Sequence, residues 1–292
     1  RKVKESYYRI SLKLREIQIK EDTKILFDQL IKTLTNRYSL GKATQQEVLK
    51  AQTEYSRLDN DVILLREEKR INQSMLKMLL GRPQGDELLE PPLKLEPRNF
   101  KVDKSKLYGL LKENRPELLS GRAMVKKANV DRALSFQEYF PDIMLKYKRE
   151  ENKGGLGTWA GMIGVTFPLW FFDKQDSFVK EAKANLEEAK SQYAALENVV
   201  SYELEAALAT LDAKAELAEL YKTSFLPQGE AAFNSASIGF EAGRNSFLDF
   251  LDSERMLLDF KLEYAKALAE LEISYAELER VVGTQLGNIS VE

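Results

Sequence analysis

A glycine-centred turn embedded in a long helical pattern occurs twice in this chain, at Tyr38-Ser-Leu-Gly41 and at Phe240-Glu-Ala-Gly243. Sliding the first copy onto the second by 202 positions also superposes Leu49 on Leu251, Glu68 on Glu270, Ile71 on Ile273, Leu76 on Leu278 and Gly81 on Gly283. The match runs without a gap over the 45 residues 37–81. Such self-similarity means one structural unit used twice, which constrains the fold more tightly than any single residue.

Around the first turn the pattern is that of a helical hairpin. Residues 1–36 contain no Gly or Pro, and Ile10, Leu14, Ile17, Leu26, Leu30 and Leu34 recur with helical spacing. After Gly41, Thr44 and Glu47 read as a capping box for a second helix that ends at Gly81-Arg-Pro83. Ala51, Leu58, Leu65 and Leu79 fall on one seven-residue row of that helix, and Val48, Tyr55 and Val62 on another. Residues 173–226 then run for 54 positions without Gly or Pro, a tract that reaches about 80 Å as a helix. Pro227 and Gly229 are expected to kink or break it. The last helix carries Tyr264, Leu268, Leu271, Tyr275, Leu278 and Val282 in four-three spacing, so it must pack on other long helices.

Between the two copies the character changes. Pro83, Pro91, Pro92 and Pro97 mark residues 81–114 as an extended connection, and Arg115-Pro116-Glu117 starts a short helix to about residue 136. Then the period switches from 3.6 to 2. Pro141, Ile143, Leu145 and Tyr147 alternate with Asp142, Met144, Lys146 and Lys148, and after the polar stretch 149–157 a second strand presents Trp159, Gly161, Ile163, Val165 and Phe167 on one face. Each strand is about the ten residues that cross a bilayer when tilted. A lone hairpin is unstable in water, so it needs partner strands, and a closed barrel shared among subunits supplies them. One edge of a soluble sheet is the competing reading.

Composition removes most chemistries. The chain has no Cys and no His, hence no thiol nucleophile, imidazole base, disulfide or usual zinc ligand, and no catalytic, cofactor or metal site is expected. A net charge of -2, with cations dispersed among anions, gives no field for nucleic acid. Carboxylate neighbours such as Glu67/Glu68 and Glu187/Glu188 point apart on their helices and make no acid/base pair. No run of about 18 apolar residues exists to form a spanning helix, which leaves a spanning β-hairpin open.

In order and spacing, several segments resemble the TolC-like outer-membrane efflux protein family: Arg37-Tyr-Ser-Leu-Gly41 with Glu47-Val-Leu49, Ile238-Gly-Phe-Glu-Ala-Gly243 with Phe250-Leu251, Asn114-Arg-Pro-Glu-Leu118, Phe140-Pro-Asp142 and Phe167-Pro-Leu-Trp-Phe-Phe-Asp173. The resemblance implies a mainly α fold. Long antiparallel coiled-coil helices would form a trimeric α-barrel, continued by a 12-stranded β-barrel to which each of three protomers gives two hairpins. This chain shows one hairpin, and by the family pattern the other precedes Arg1. The implied organisation is a first helical hairpin at 1–81, an equatorial connection at 82–115, a short helix at 116–137, the membrane hairpin at 138–168, a second helical hairpin at 169–283 and a tail at 284–292.

What the resemblance implies functionally is a passive exit duct in the cell outer membrane, extending into the periplasm. Its partners would be two further copies, a periplasmic adaptor, an inner-membrane pump and outer-membrane lipid. The alternative is a periplasmic coiled-coil adaptor or structural protein without a pore. The glycine turns would be the periplasmic tips that meet the adaptor, through Tyr38, Leu40, Gly41, Val48, Leu49, Phe240, Gly243, Phe250 and Leu251. The same leucines and aromatics can instead cap the hairpins' own core. Lys42, Glu241, Arg244 and Asp249 are candidate aperture charges, with solvated surface charge as the plainer reading. Ile143, Leu145, Tyr147, Trp159, Ile163, Val165 and Phe167 would face lipid, and Trp170, Phe171 and Phe172 form either an interfacial belt or a buried corner.

Overall fold

The computed structural model describes residues 1–87, 91–92, 95, 103–150, 158–166 and 175–286. The elements run α1 (Lys2–Ser39), α2 (Gln45–Leu79), α3 (Lys104–Asn114), α4 (Pro116–Gln137), β1 (Asp142–Glu150), β2 (Thr158–Thr166), α5 (Asp176–Leu220), a π-helical turn (Tyr221–Phe225), α6 (Leu226–Glu241) and α7 (Phe247–Val282). They divide into two compact units, Arg1–Lys106 with Leu204–Glu292, and Leu107–Glu203.

In the first unit α1 and α2 form one antiparallel hairpin, α6 and α7 form another, and α7 lies against α1. The four-three spacing of α7 is realised from Leu268 on: Leu268, Leu271, Tyr275, Leu278 and Val282 are buried, while Tyr264 at its start is half-buried. On α1 the facing positions Ile10, Ile17, Phe27 and Leu34 are buried too, while α2 contributes Ala51, Leu58, Val62 and Leu76. Ion pairs run along the flank between α1 and α2, with Lys20 Nζ 2.7 Å from Asp61 and Arg66 Nη2 2.7 Å from Glu21. Lys24 with Asp59 and Lys13 with Glu68 add to the row. Being partly exposed, each contributes little to stability, but together they favour one register of the hairpin.

The tract expected to kink or break at Pro227 and Gly229 is locally distorted there and continues as a helix. Pro227 has no N–H for the carbonyl four residues back, and its ring would clash with that carbonyl in a regular helix. Helix α5 therefore widens into the π turn, where Leu226 N–H donates to Tyr221 O, five residues back, and α6 continues beyond it. In the first copy α1 is unbroken α-helix from Lys2 to Ser39. The two copies thus match closely around the turns and diverge above the second one.

A correction concerns the connection. Residues expected to be extended up to 114 include helix α3, just before which Asp103 accepts hydrogen bonds from Ser105 N and Oγ, and within which Leu107 and Leu111 are buried one turn apart. Pro97 and its neighbours lie outside the described residues.

In the second unit, Arg115 precedes α4 and is buried, its Nε 2.8 Å from Glu117 and its Nη2 2.9 Å from Glu203 of α5. Tyr193 of α5 covers the backbone of Gly121 and accepts a 2.9 Å hydrogen bond from Arg122 Nε through its hydroxyl. The β-hairpin pairs Asp142 with Thr166 through to Glu150 with Thr158 in unbroken antiparallel register. Strand β1 thus ends two residues beyond the Lys148 at which its alternation stopped, and starts one residue after Pro141. Phe167, Trp170, Phe171 and Phe172 lie outside the described residues.

Candidate functional site

The two turns of the first unit have the same backbone. Gly41 and Gly243 both adopt left-handed φ, 67° and 68°. Lys42 N–H bonds Arg37 O at 2.8 Å and Gly41 N–H bonds Tyr38 O at 2.9 Å; Arg244 to Gly239 and Gly243 to Phe240 repeat the pair at 2.8 and 3.1 Å. This pair of hydrogen bonds satisfies two of the last carbonyls of α1 and of α6 and needs a residue tolerant of positive φ at its corner. The next helix then starts on a reciprocal cap in both copies: Thr44 with Glu47 on α2, and Ser246 with Asp249 on α7. Positions 44 and 47 become 246 and 249 under the 202-residue shift, so the repeat extends to the capping atoms. The far ends match as well, with Gly81 and Gly283 at φ 67° and 84°.

The residues proposed as a contact surface divide in two. Phe240, Phe250 and Leu251 are buried with Phe27, Leu30, Leu34, Ala51, Leu58 and Phe247 in one cluster joining the hairpins, and Val48 packs on its margin. Ring centroids of Phe240 and Phe250 are 5.5 Å apart, and those of Phe240 and Phe247 5.9 Å, in tilted contacts that favour aromatic pairs. Tyr38, Leu40, Gly41, Leu49 and Gly243 are exposed. Leu49 and the exposed Leu248 line an open groove of about 500 Å³ between α2 and α7, with Lys50, Glu54 and Arg255 along it.

The charged residues also divide. Asp249 accepts from Ser246 N at 3.0 Å and from Ser246 Oγ at 2.8 Å, so its carboxylate is engaged in capping α7. Lys42, Glu241 and Arg244 are exposed and form no ion pair among the described residues. Arg37, which the sequence shows only as the first residue of the turn motif, has its guanidinium carbon 5.2 Å from the Phe240 ring centroid, and its Nη2 donates to Glu241 O at 3.4 Å. Sequence reading missed Glu254. It follows Phe247, Phe250 and Leu251 on the buried stripe of α7, is 4% exposed, and has its carboxyl pushed up to about 7, first by burial and then by the neighbouring Glu54 carboxylate. A carboxylate at an apolar stripe position was the available signal.

In the second unit, Ile143, Leu145 and Tyr147 of β1 stand opposite Val165, Ile163 and Gly161 of β2, with Trp159 next on the same face. All six named apolar side chains on this face are more than half exposed. Among the described residues no third strand joins the hairpin. No described helix is long and apolar enough to cross a membrane, and no three Asp, Glu, His or Cys side chains cluster as metal ligands.

A family model for outer membrane efflux protein matches residues 107–284. The cobalt-zinc-cadmium resistance protein CzcC of Cupriavidus metallidurans is 28% identical over 175 residues, 59% of this chain and 41% of CzcC. The chain thus aligns with less than half the length of that relative. Among solved structures, the outer membrane protein VceC of Vibrio cholerae superposes with a TM-score of 0.79 at 17% identity, over 97% of this chain and 69% of VceC. CusC, whose structures describe transmembrane channel formation, superposes at 0.80 and 16% identity, over 96% of this chain and 67% of CusC. At these identities the structures show a shared fold.

Proposed function

The chain belongs to the outer membrane efflux protein family, and from that premise we propose that it is a subunit of a passive, trimeric exit duct of a tripartite efflux or type I secretion system. The observation that carries this reading is the β-hairpin: two nine-residue strands with one side apolar and solvent-facing from Ile143 to Tyr147 and from Trp159 to Val165, with Arg149 at its end. In water such a surface is a liability; in lipid it is the required exterior of a closed barrel. Three protomers, each giving two hairpins, close a 12-stranded barrel with no free edge. In this arrangement Ile143, Leu145, Tyr147, Trp159, Ile163 and Val165 face the acyl chains of the outer membrane, and the helical hairpins continue the duct into the periplasm.

The glycine turns are the periplasmic tips. Exposed Tyr38, Leu40, Gly41, Leu49 and Gly243 present the surface to a helical adaptor, while Phe240, Phe250, Leu251 and Val48 hold the two tips in register behind it. Lys42, Glu241 and Arg244 are the charges available to line an aperture, where threefold symmetry repeats each of them three times. Transport through such a duct involves no bond making, so the protein is not an enzyme. CzcC carries cobalt, zinc and cadmium resistance in its name; a metal cargo here would be selected by the inner-membrane pump that delivers it.

The test is conductance. Purified full-length protein reconstituted in planar bilayers is expected to give discrete pores, and crosslinking in native membranes is expected to trap trimers. A protein that stays soluble without detergent and conducts nothing would instead be a pore-less coiled-coil partner.

A further inference from the structure

The first unit contains an ionisable cluster that the duct reading leaves unused. Glu54 of α2 accepts a hydrogen bond from Arg255 Nη2 of α7, which ties the first hairpin to the second; Arg57 Nη1 lies 3.6 Å from the same carboxylate oxygen. Beside this pair Glu254 is buried on the apolar stripe of α7, one turn beyond Phe250 and Leu251. Arg255 Nε is itself buried without a hydrogen-bond partner. In the first copy the position equivalent to Glu254 is Gln52, so the buried acid belongs to the second hairpin alone.

We propose that Glu254, set against the Glu54–Arg255 pair, is a pH-sensitive latch that holds the two helical hairpins together in mild acid and loosens them as the pH rises.

Burial and like charge set the direction. With Glu254 protonated, the Glu54 carboxylate pairs with the Arg255 guanidinium, and that of the exposed Arg57 lies 3.6 Å away. With Glu254 ionised, two carboxylates share the interface, and Asp259 on the same helix adds to the repulsion while Lys261 opposes it. The other elements against α7 offer little relief. On α1, Lys20 and Lys24 are taken by Asp61 and Asp59 of α2; α6 carries only Glu230 and Glu241, both exposed, and the π turn only exposed Lys222. The folded carboxyl titrates at about 7, against 4.5 for the unperturbed group. Its contribution to interface stability is therefore complete below the unperturbed value and is lost as pH rises through the folded one. The core it interrupts is the one that holds both tips, so loosening there reaches Gly41 and Gly243. The latch needs only the geometry of this unit, whatever passes between the hairpins.

Amide hydrogen exchange on the full-length protein tests it, read over residues 37–47 and 240–250 and corrected for the intrinsic pH dependence of exchange. Protection is expected to fall about 30-fold between about pH 5.5 and about pH 8.5, the change in opening equilibrium carried by the roughly 1.5 units between pH 5.5 and the folded titration point. Glu254→Gln should remain protected throughout, with the pH dependence abolished. Glu54→Gln should move the midpoint to lower pH by removing the like charge. Equal protection at both pH values in the wild type, or an undiminished pH response in Glu254→Gln, overturns the latch. If Glu254→Gln does not fold, an unmoved midpoint in Glu54→Gln does so.

Discussion

Arg37, in the last turn of α1, lies over the face of Phe240 in the last turn of α6, with 5.2 Å between guanidinium carbon and ring centroid. It is a contact between the two copies of the repeat rather than within either one. Its counterpart under the 202-residue shift is Gly239, where a Cβ would stand 2.4 Å from the Asn245 side chain. The copies are therefore alike in backbone and complementary in side chains. One supplies a cation that reaches across, and the other supplies the ring that receives it.

Removing the cation should loosen the tips without unfolding the helices. Arg37→Met is expected to lower stability by about 0.5–1 kcal/mol, the range for a partly exposed cation–π contact. Arg37→Lys should retain part of it. Thermal or denaturant unfolding of the single and double variants with Phe240→Leu checks this: a coupling energy of the same size is expected, and strict additivity would show that the contact contributes nothing.

The left-handed corners are more demanding. An alanine at φ near 67° brings its Cβ against its own backbone, at a cost of about 1–2 kcal/mol per site. Gly41→Ala and Gly243→Ala should each lower the melting temperature, and asparagine at either site should cost less, because its side chain tolerates this region better. Nothing lies within 4 Å of either added Cβ, so the loss reports backbone strain alone. Equal melting temperatures for Gly and Ala would contradict the turn geometry.

Where the sequence was readable, local chemistry was the reason. The glycine turns, the Thr44–Glu47 cap, the start of α4 at Pro116 and the alternation of β1 and β2 all depend on residues within a few positions of one another. Helix α3 was hidden because its apolar signal is short, Leu107 and Leu111 one turn apart, and follows a proline-rich stretch. Pro227 signals a kink or a break without saying which, because a π turn is an answer of the folded backbone and has no residue signature of its own. At the tips the division between buried Phe250 and exposed Leu49 is set by how hairpins 200 residues apart pack, which periodicity within either one does not reveal.

Two glycines inside helices should respond in opposite senses to the same substitution. Gly229 of α6 is buried, and an added Cβ would sit 2.8 Å from the Phe260 ring and 3.4 Å from Leu257. Overpacking of this kind costs about 1–3 kcal/mol, which outweighs the gain in helix propensity of about 1 kcal/mol. Gly109 of α3 is exposed with nothing within 4 Å. Gly229→Ala is expected to destabilise and Gly109→Ala to stabilise by about 0.5–1 kcal/mol. Calorimetry of both variants decides the matter, and a stabilised Gly229→Ala would mean that α6 does not pack on α7 as closely as the structure shows.

The two faces of the hairpin offer the sharpest test of which side meets lipid. Leu145 and Ile163 are cross-strand partners on the apolar face, and the adjacent pair Lys146 and Met162 points the opposite way. If the first face contacts acyl chains, Ile163→Arg places a charge against hydrocarbon at a cost of about 2–4 kcal/mol near the bilayer midplane. Met162→Lys, one residue away, places its charge beside Lys146 in the barrel interior and should be tolerated apart from modest like-charge repulsion. The measurement is the fraction of full-length protein that resists extraction from outer-membrane vesicles and folds to the detergent-stable form. Ile163→Arg is expected to reduce that fraction several-fold and Met162→Lys to leave it near wild type. The reverse order would put lipid on the other face, and equal tolerance of both would take the hairpin out of the membrane altogether.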